Sequence, residues 1–301
     1  MNKFIICCAA LFAGALANPA HALNVFACEP EWAALATEIG GDHVSVYTAT
    51  TGGQDPHLVQ ARPSLIARAR SADIRVCTGA ELEVAWINLI VQQSGNARLQ
   101  AGRPGAFDAT SAVRLLERPA SVDRAQGDIH AIGNPHVQAD PRNMIPISRA
   151  MAARFAQIDP ANAQTYTSRQ ADFERRWNLA LVNWTRRAAP LRGVRIAVQH
   201  RSWPYLENWL GLVQVIPLEP QVGVPPSSGY LAQVMQTLRT TPARFVIRAA
   251  YEDSRPSEFI AQRANIPAVL LPFTIGGTPG AMDLFSLYDD TITRLLAGLG
   301  Q

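Results

Sequence analysis

Three histidines carry the residue types and settings that invite chemistry: His57 in Asp55-Pro56-His57, His136 in Asn134-Pro135-His136, and His200 in Gln199-His200-Arg201-Ser202-Trp203. Neutral imidazole binds zinc at about 2.0 to 2.1 Å, and three rings plus one oxygen complete a tetrahedron. Each ring must also donate its second nitrogen to an acceptor. By proximity in sequence, Asp55, Asp140 and Gln199 are the acceptors expected. His130 shares the loop 127–141 with His136 and is expected to be a bystander, while His43, just before a β-branched run, is expected to be solvated. Manganese prefers more oxygen ligands, so an all-histidine trio favours zinc; copper(II) binds the same donors more tightly, and ligand type alone does not discriminate against it. Three imidazoles with an open position also describe a zinc hydrolase that activates water. The chain has no His-Glu-x-x-His pair and no other hydrolase motif to support that alternative.

These histidines lie far apart in sequence, so the elements between them must bring three loops to one cleft. The 301 residues suffice for two lobes with their own cores. Met1-Asn2-Lys3, the apolar run Phe4 to Leu16 and Ala20-His21-Ala22 read as a signal peptide over 1–22, leaving a mature chain outside the cytoplasm. Cys7 and Cys8 sit deep in the apolar run and not at its end, which favours a soluble periplasmic protein over a lipoprotein. The net charge is +3 with arginines scattered among acids, and nothing in that pattern argues for nucleic acid. The only lysine is Lys3, which excludes P-loop and Schiff-base chemistry from the mature chain. Cys28 and Cys77 are compatible with one disulfide between adjacent strand ends or with two buried thiols.

Periodicity predicts alternating strands and helices. In the first half, strands are expected at 23–28, 44–51 and 74–77, with helices at 31–39, 62–69 and 81–93. Breakers weaken the pattern from 94 to 126, where only a short strand around 112–116 is expected. A helix follows to about Gln157. Another runs from Asp159-Pro160 to roughly Arg187 with Tyr166, Phe173, Trp177, Leu181 and Trp184 along one stripe, about 40 Å long. The second half repeats the alternation, with strands at 194–198, 213–216, 245–248 and 268–271 and a closing helix at 284–297, on which Asp289-Asp290 reads as an exposed face. Such an order implies parallel sheets covered on both faces, whose ligands sit beyond the carboxyl ends of the strands.

Several stretches together resemble the metal-binding periplasmic receptors of ABC importers for zinc and manganese, the cluster with a rigid interlobe helix. They are the strand and helix from Val25 to Gly40, Asp55-Pro56-His57 before Arg62-Pro63-Ser64, Ser71-Ala72-Asp73 before Gly79-Ala80-Glu81-Leu82-Glu83, Asn134-Pro135-His136 before Asp140-Pro141, and His200 at a strand end. The resemblance implies two Rossmann-like α/β lobes with parallel sheets, at 23–158 and 189–301, joined by a linking helix at 159–188. It further implies a metal site in the cleft using His57, His136 and His200, with a carboxylate from the second lobe. In the family that acid lies after the last strand. Here Pro272-Phe273-Thr274-Ile275-Gly276-Gly277 has none, so Asp253 is taken as the fourth ligand, with Glu252, Asp283 or water as alternatives. The implied function is capture of zinc, with manganese second, and delivery by a monomer to an ABC permease with its ATPase, with no reaction catalysed. A metallochaperone or adhesin on the same scaffold would differ in partner and not in site.

Overall fold

A computed structural model describes residues 22–119 and 130–300. The signal peptide read at 1–22 therefore lies outside the described residues except for Ala22, as do Gly127, Asp128 and Ile129 of the His136 loop.

Two parallel four-stranded sheets form the frame. Strands β1 (Leu23–Ala27), β2 (Val44–Thr48), β3 (Ile74–Cys77) and β4 (Ala106–Asp108) are ordered β2-β1-β3-β4; β5 (Arg195–Val198), β6 (Val213–Pro217), β7 (Phe245–Ala249) and β8 (Ala268–Leu271) are ordered β6-β5-β7-β8. Val25 pairs with Val46 on one side and Ile74 on the other, and Ala197 pairs with Val246. The central strands are apolar on both faces because both are covered. Val25, Ala27, Ile74 and Val76 enter one core while Phe26, Cys28 and Cys77 enter another, as the two-residue period of a strand requires. Cys28 and Cys77 form a disulfide with their Cα atoms 4.8 Å apart, which ties the ends of β1 and β3 and decides between the two thiol readings.

The helices are α1 (Pro30–Gly40), α2 (Pro63–Ser71), α3 (Ile87–Ser94), α4 (Met144–Ile158), α5 (Ala163–Arg187), α6 (Pro204–Leu210), α7 (Ser228–Thr240), α8 (Ser254–Ala264) and α9 (Leu284–Gly298). The 25-residue α5 buries Tyr166, Gln170, Phe173, Trp177 and Trp184 along one stripe and packs against α1 and α4 of the first lobe and α9 of the second. The indole of Trp177 donates to the Pro141 carbonyl at 2.7 Å and that of Trp184 to Asp289 at 3.0 Å. Aromatic burial and satisfied indoles on both sides make α5 a stiff shared wall, since bending it would open contacts to both lobes at once.

Three local expectations are corrected. The strand expected at 112–116 is absent; the sheet is completed by β4, only three residues long and flanked by Gly105, too short to show a period. The helix expected from Glu81 starts only at Ile87, because the Glu83 carboxylate turns back to accept the Thr78 and Gly79 backbone N–H groups, at 2.7 and 3.1 Å, and Ala80 and Glu81 take positive φ. Asp289 and Asp290 do not form one solvated face: the Asp289 side chain is 48 % exposed, but that of Asp290 only 15 %. Asp289 accepts from Trp184 and pairs with Arg187, while Asp290 accepts from Thr278 at 2.5 Å and Arg294 at 2.6 Å.

The lobes are fastened beside the cleft. The Tyr205 hydroxyl donates to the Asn134 carbonyl at 2.7 Å and accepts from the Leu116 N–H at 3.0 Å, and Arg201 pairs with Glu117 at 2.6 Å. Across from them the Thr274 hydroxyl donates to the buried Glu31 carboxylate. Gly52 lies so close to Gly276 and Gly277 that a Cβ there would sit 2.3 Å from their backbone; only a residue without a side chain lets these loops meet.

Candidate metal centre

Each histidine stands where the sheets deliver it. His57 lies in the loop between β2 and α2, His136 in the loop before α4, and His200 two residues beyond β5. One ligand nitrogen from each ring falls within 4.8 Å of the others. The rings meet edge to face, with centroids 5.5 Å apart for His57 and His136, 6.0 Å for His57 and His200, and 6.1 Å for His136 and His200. His136 is the most enclosed, 1 % exposed, and its Nε2 is buried with no hydrogen-bond partner. An unpartnered buried ring nitrogen is costly in an apolar setting and is what a cation would satisfy.

All three Nδ1 atoms are engaged, which leaves Nε2 as the atom each ring can offer to a metal. His57 Nδ1 lies 2.8 Å from Asp55 Oδ1, and the same oxygen accepts the His57 backbone N–H at 2.9 Å. His136 repeats this with Asn134: 2.8 Å to the ring and 3.0 Å to the backbone. Asp55-Pro56-His57 and Asn134-Pro135-His136 are thus one Asx-Pro-His device used twice. The Asx side chain closes a turn on the amide two residues on, proline presets the backbone between them, and the ring falls against the same oxygen. The Asn134 amide nitrogen donates to Glu117 at 3.2 Å and to the Arg201 carbonyl at 3.1 Å, which points its carbonyl oxygen at the ring. His200 has no such neighbour. Its Nδ1 meets Glu219 Oε2 at 2.7 Å, an acid beyond β6 that also accepts the Gly223 N–H at 2.8 Å.

Of the acceptors expected from proximity, the structure brings Asp55 to its ring and not the other two. Asp140 is occupied by Arg142 at 2.6 Å, and the Gln199 amide donates to the Asp253 carbonyl at 2.7 Å. The repeat of Asx-Pro-His was a visible signal for Asn134. Glu219 had none, being 19 residues from its histidine.

The expected fourth ligand is not where the trio needs it. Asp253 caps α8, its carboxylate accepting the Arg255 N–H at 3.0 Å and pairing with the Arg255 guanidinium, which holds its pKa down at about 2. Asp283 likewise caps α9, accepting the Ser286 N–H at 2.7 Å. An acid just before a helix is drawn to that helix's free N–H groups. Beside Asp253 on the wall of the cleft cavity stands Glu252. It is pushed up to about 7 by burial, against the opposing pull of His200, and its Oε1 has no hydrogen-bond partner. His130, expected to be a bystander, lies outside the trio's grouping but beside it. Its ring stacks on His57 at 5.5 Å and meets His136 edge-on at 6.2 Å.

The electrostatics suit a cation. Burial, then the neighbouring imidazoles, push His136 well below the ordinary histidine range, so it is neutral at physiological pH, as a ring must be to bind a cation. Burial also opposes charge on His200, but the hydrogen bond and charge of Glu219 outweigh it and leave its pKa raised. The cleft in front of these rings is a cavity of about 470 Å³ lined by Asp55, His57, His200, Glu219, Tyr251 and Glu252 among others. Cys28, Cys77 and Glu83 also cluster, but their sulfurs are joined in the disulfide and offer no thiolate.

Residues 25–298 match the ZnuA family, described as the periplasmic component A of the zinc-uptake complex. The iron-binding protein YfeA of Yersinia pestis is 25 % identical over 283 residues, covering 89 % of this chain and 83 % of that protein. The manganese ABC transporter substrate-binding lipoprotein PsaA of Streptococcus pneumoniae is 20 % identical over 247 residues, covering 80 % of this chain and 76 % of its own. A crystal structure of ZnuA superimposes with a TM-score of 0.75 at 22 % identity, over 93 % of this chain and all of that one, which shows the shared fold. With the fold, the cleft and residues 25–298 accounted for, the chain belongs to the ZnuA family of metal-binding receptors of ABC importers, which are receptors and not enzymes.

Proposed function

We propose that this receptor carries zinc, held by the Nε2 atoms of His57, His136 and His200. The observation that supports this most is the convergence of three ligand nitrogens within 4.8 Å while each ring's other nitrogen is already engaged. That is the arrangement of ligand and outer partner expected around a nitrogen-bound metal. Relatives named for manganese and iron belong to the same similarity set, so the cargo must be argued from the donors. No carboxylate among the described residues joins the trio's grouping, and a nitrogen-rich site favours zinc over manganese. On this reading the signal peptide 1–22 is removed, and the mature monomer works in the periplasm, delivering the ion to an ABC permease with its ATPase. The bonds between lobes beside the cleft favour release by small loop displacements over a wide hinge.

The test is an equilibrium competition between zinc and manganese on the purified mature protein. One zinc per chain is expected, with zinc preferred and its affinity falling by at least about 100-fold in His136→Ala, since the most enclosed ligand is lost. Wild-type affinity in that variant would sink the trio, and preference for manganese would sink the cargo.

A further inference from the structure

We propose that His130 is a fourth metal donor, turning onto the ion held by the trio; the inference rests on the trio being the metal site. Two imidazoles bound through Nε2 to one tetrahedral ion at about 2.0 to 2.1 Å have ring centroids about 5 Å apart. The three pairs within the trio span 5.5 to 6.1 Å. His130 lies 5.5 Å from His57 and 6.2 Å from His136, so its spacing to two of the ligands is that of the ligands to one another. It is also as enclosed as they are, 8 % exposed, the same as His57 and His200.

Its backbone is placed and not left to chance. The His130 carbonyl accepts the Gly133 N–H at 3.2 Å, closing a turn that Gly133 enters at φ 128°, and the next residue's N–H donates to Glu81 at 2.5 Å. The first lobe thereby holds the Cα of His130 over the site. What remains is a side-chain rotation, because its nitrogens lie outside the trio's 4.8 Å grouping. An ion at the trio supplies the reason to rotate: a cation short of a donor attracts a ring nitrogen within reach.

The competing donor is Glu252 on the cavity wall near His200. It is held by the Ala249 N–H at 2.6 Å on one oxygen. With that oxygen taken by the backbone, it has a single oxygen left to offer.

X-ray absorption of the zinc-loaded protein counts imidazoles directly. Four are expected in the wild type and three in His130→Ala, with zinc affinity lower by at least about tenfold, the size seen even for loss of an outer partner. His130→Asp, which offers an oxygen, should recover affinity with the imidazole count still three; a lost packing contact would not be rescued so. Three imidazoles and one oxygen in the wild type, unchanged by His130→Ala, would overturn the proposal, and loss of that oxygen in Glu252→Gln would give the place to Glu252. His136→Ala separates the two ideas. If it abolishes tight binding while His130→Ala changes neither count nor affinity, the trio stands and only the fourth donor falls.

Discussion

The two lobes aim their histidines by different means. In the first lobe, His57 and His136 each take their orientation from an Asx residue two positions earlier, through one oxygen that serves both backbone and ring. In the second, His200 depends on Glu219, brought from the far end of the neighbouring strand. A local turn needs only its own residues to form, so it presents its ring whenever the loop is ordered. The remote pair exists only when β5 and β6 are in register. It also differs in charge from the Asn134 turn, though not from the Asp55 one: an anion beside His200 raises that ring's proton affinity, whereas the neutral Asn134 leaves His136 depressed by burial.

Three changes should break or sharpen this contrast. The largest effect is expected from Glu219→Ala, which leaves His200 with no local acceptor; zinc affinity should fall by about 100-fold, measured by competition with a chromophoric chelator. A loss no greater than that of Asp55→Ala would show that the remote partner is not the weaker arrangement.

Next comes pH. Metal needs His200 neutral, and its pKa in the metal-free protein is raised above 6.5. Above that raised pKa, affinity should be flat with respect to this ring; as pH falls through it, protons compete and affinity drops by up to about tenfold per unit. His136, shifted the other way, should not contribute until lower pH. In Glu219→Gln an acceptor oxygen remains but the charge is gone, so the drop should begin at lower pH. Titrations from acid to neutral pH in both proteins check this, and an unmoved onset would count against the assigned cause.

The smallest effect is expected for Asp55→Asn. That change turns Asp55-Pro56-His57 into a copy of Asn134-Pro135-His136, and the loss in zinc affinity should stay below about tenfold, at the low end for an outer-partner change. A loss matching Glu219→Ala would mean that the carboxylate charge, and not the turn, matters at His57.

Much of the frame was legible in the chain because it rests on short-range patterns. Apolar strands buried on both faces, the aromatic stripe of α5 and the glycine and proline punctuation recur at spacings that local geometry imposes. The misreadings fell where one distant group decided the outcome. Glu83 reached back to Thr78 and stopped a helix from starting at Glu81. Asp253 and Asp283 were claimed by the N-termini of α8 and α9, so acids in the loops after the strands that looked free were already bonded. Asp140, the acid nearest in sequence to His136, went to Arg142.

The sequence by itself determined the alternating α/β frame, singled out His57, His136 and His200, and in the twin Asx-Pro-His stretches carried the means of aiming two of them, since the frame and those turns depend on residues a few positions apart. Only the tertiary structure decided that Glu219 serves His200, that the two cysteines join β1 to β3, and that His130 lies against the trio. Those pairings span 19 to 73 residues, from Glu219 and His200 to His130 and His57, and no local propensity encodes them. They form because sheet register and lobe packing bring the chain ends of separate strands and loops to one cleft.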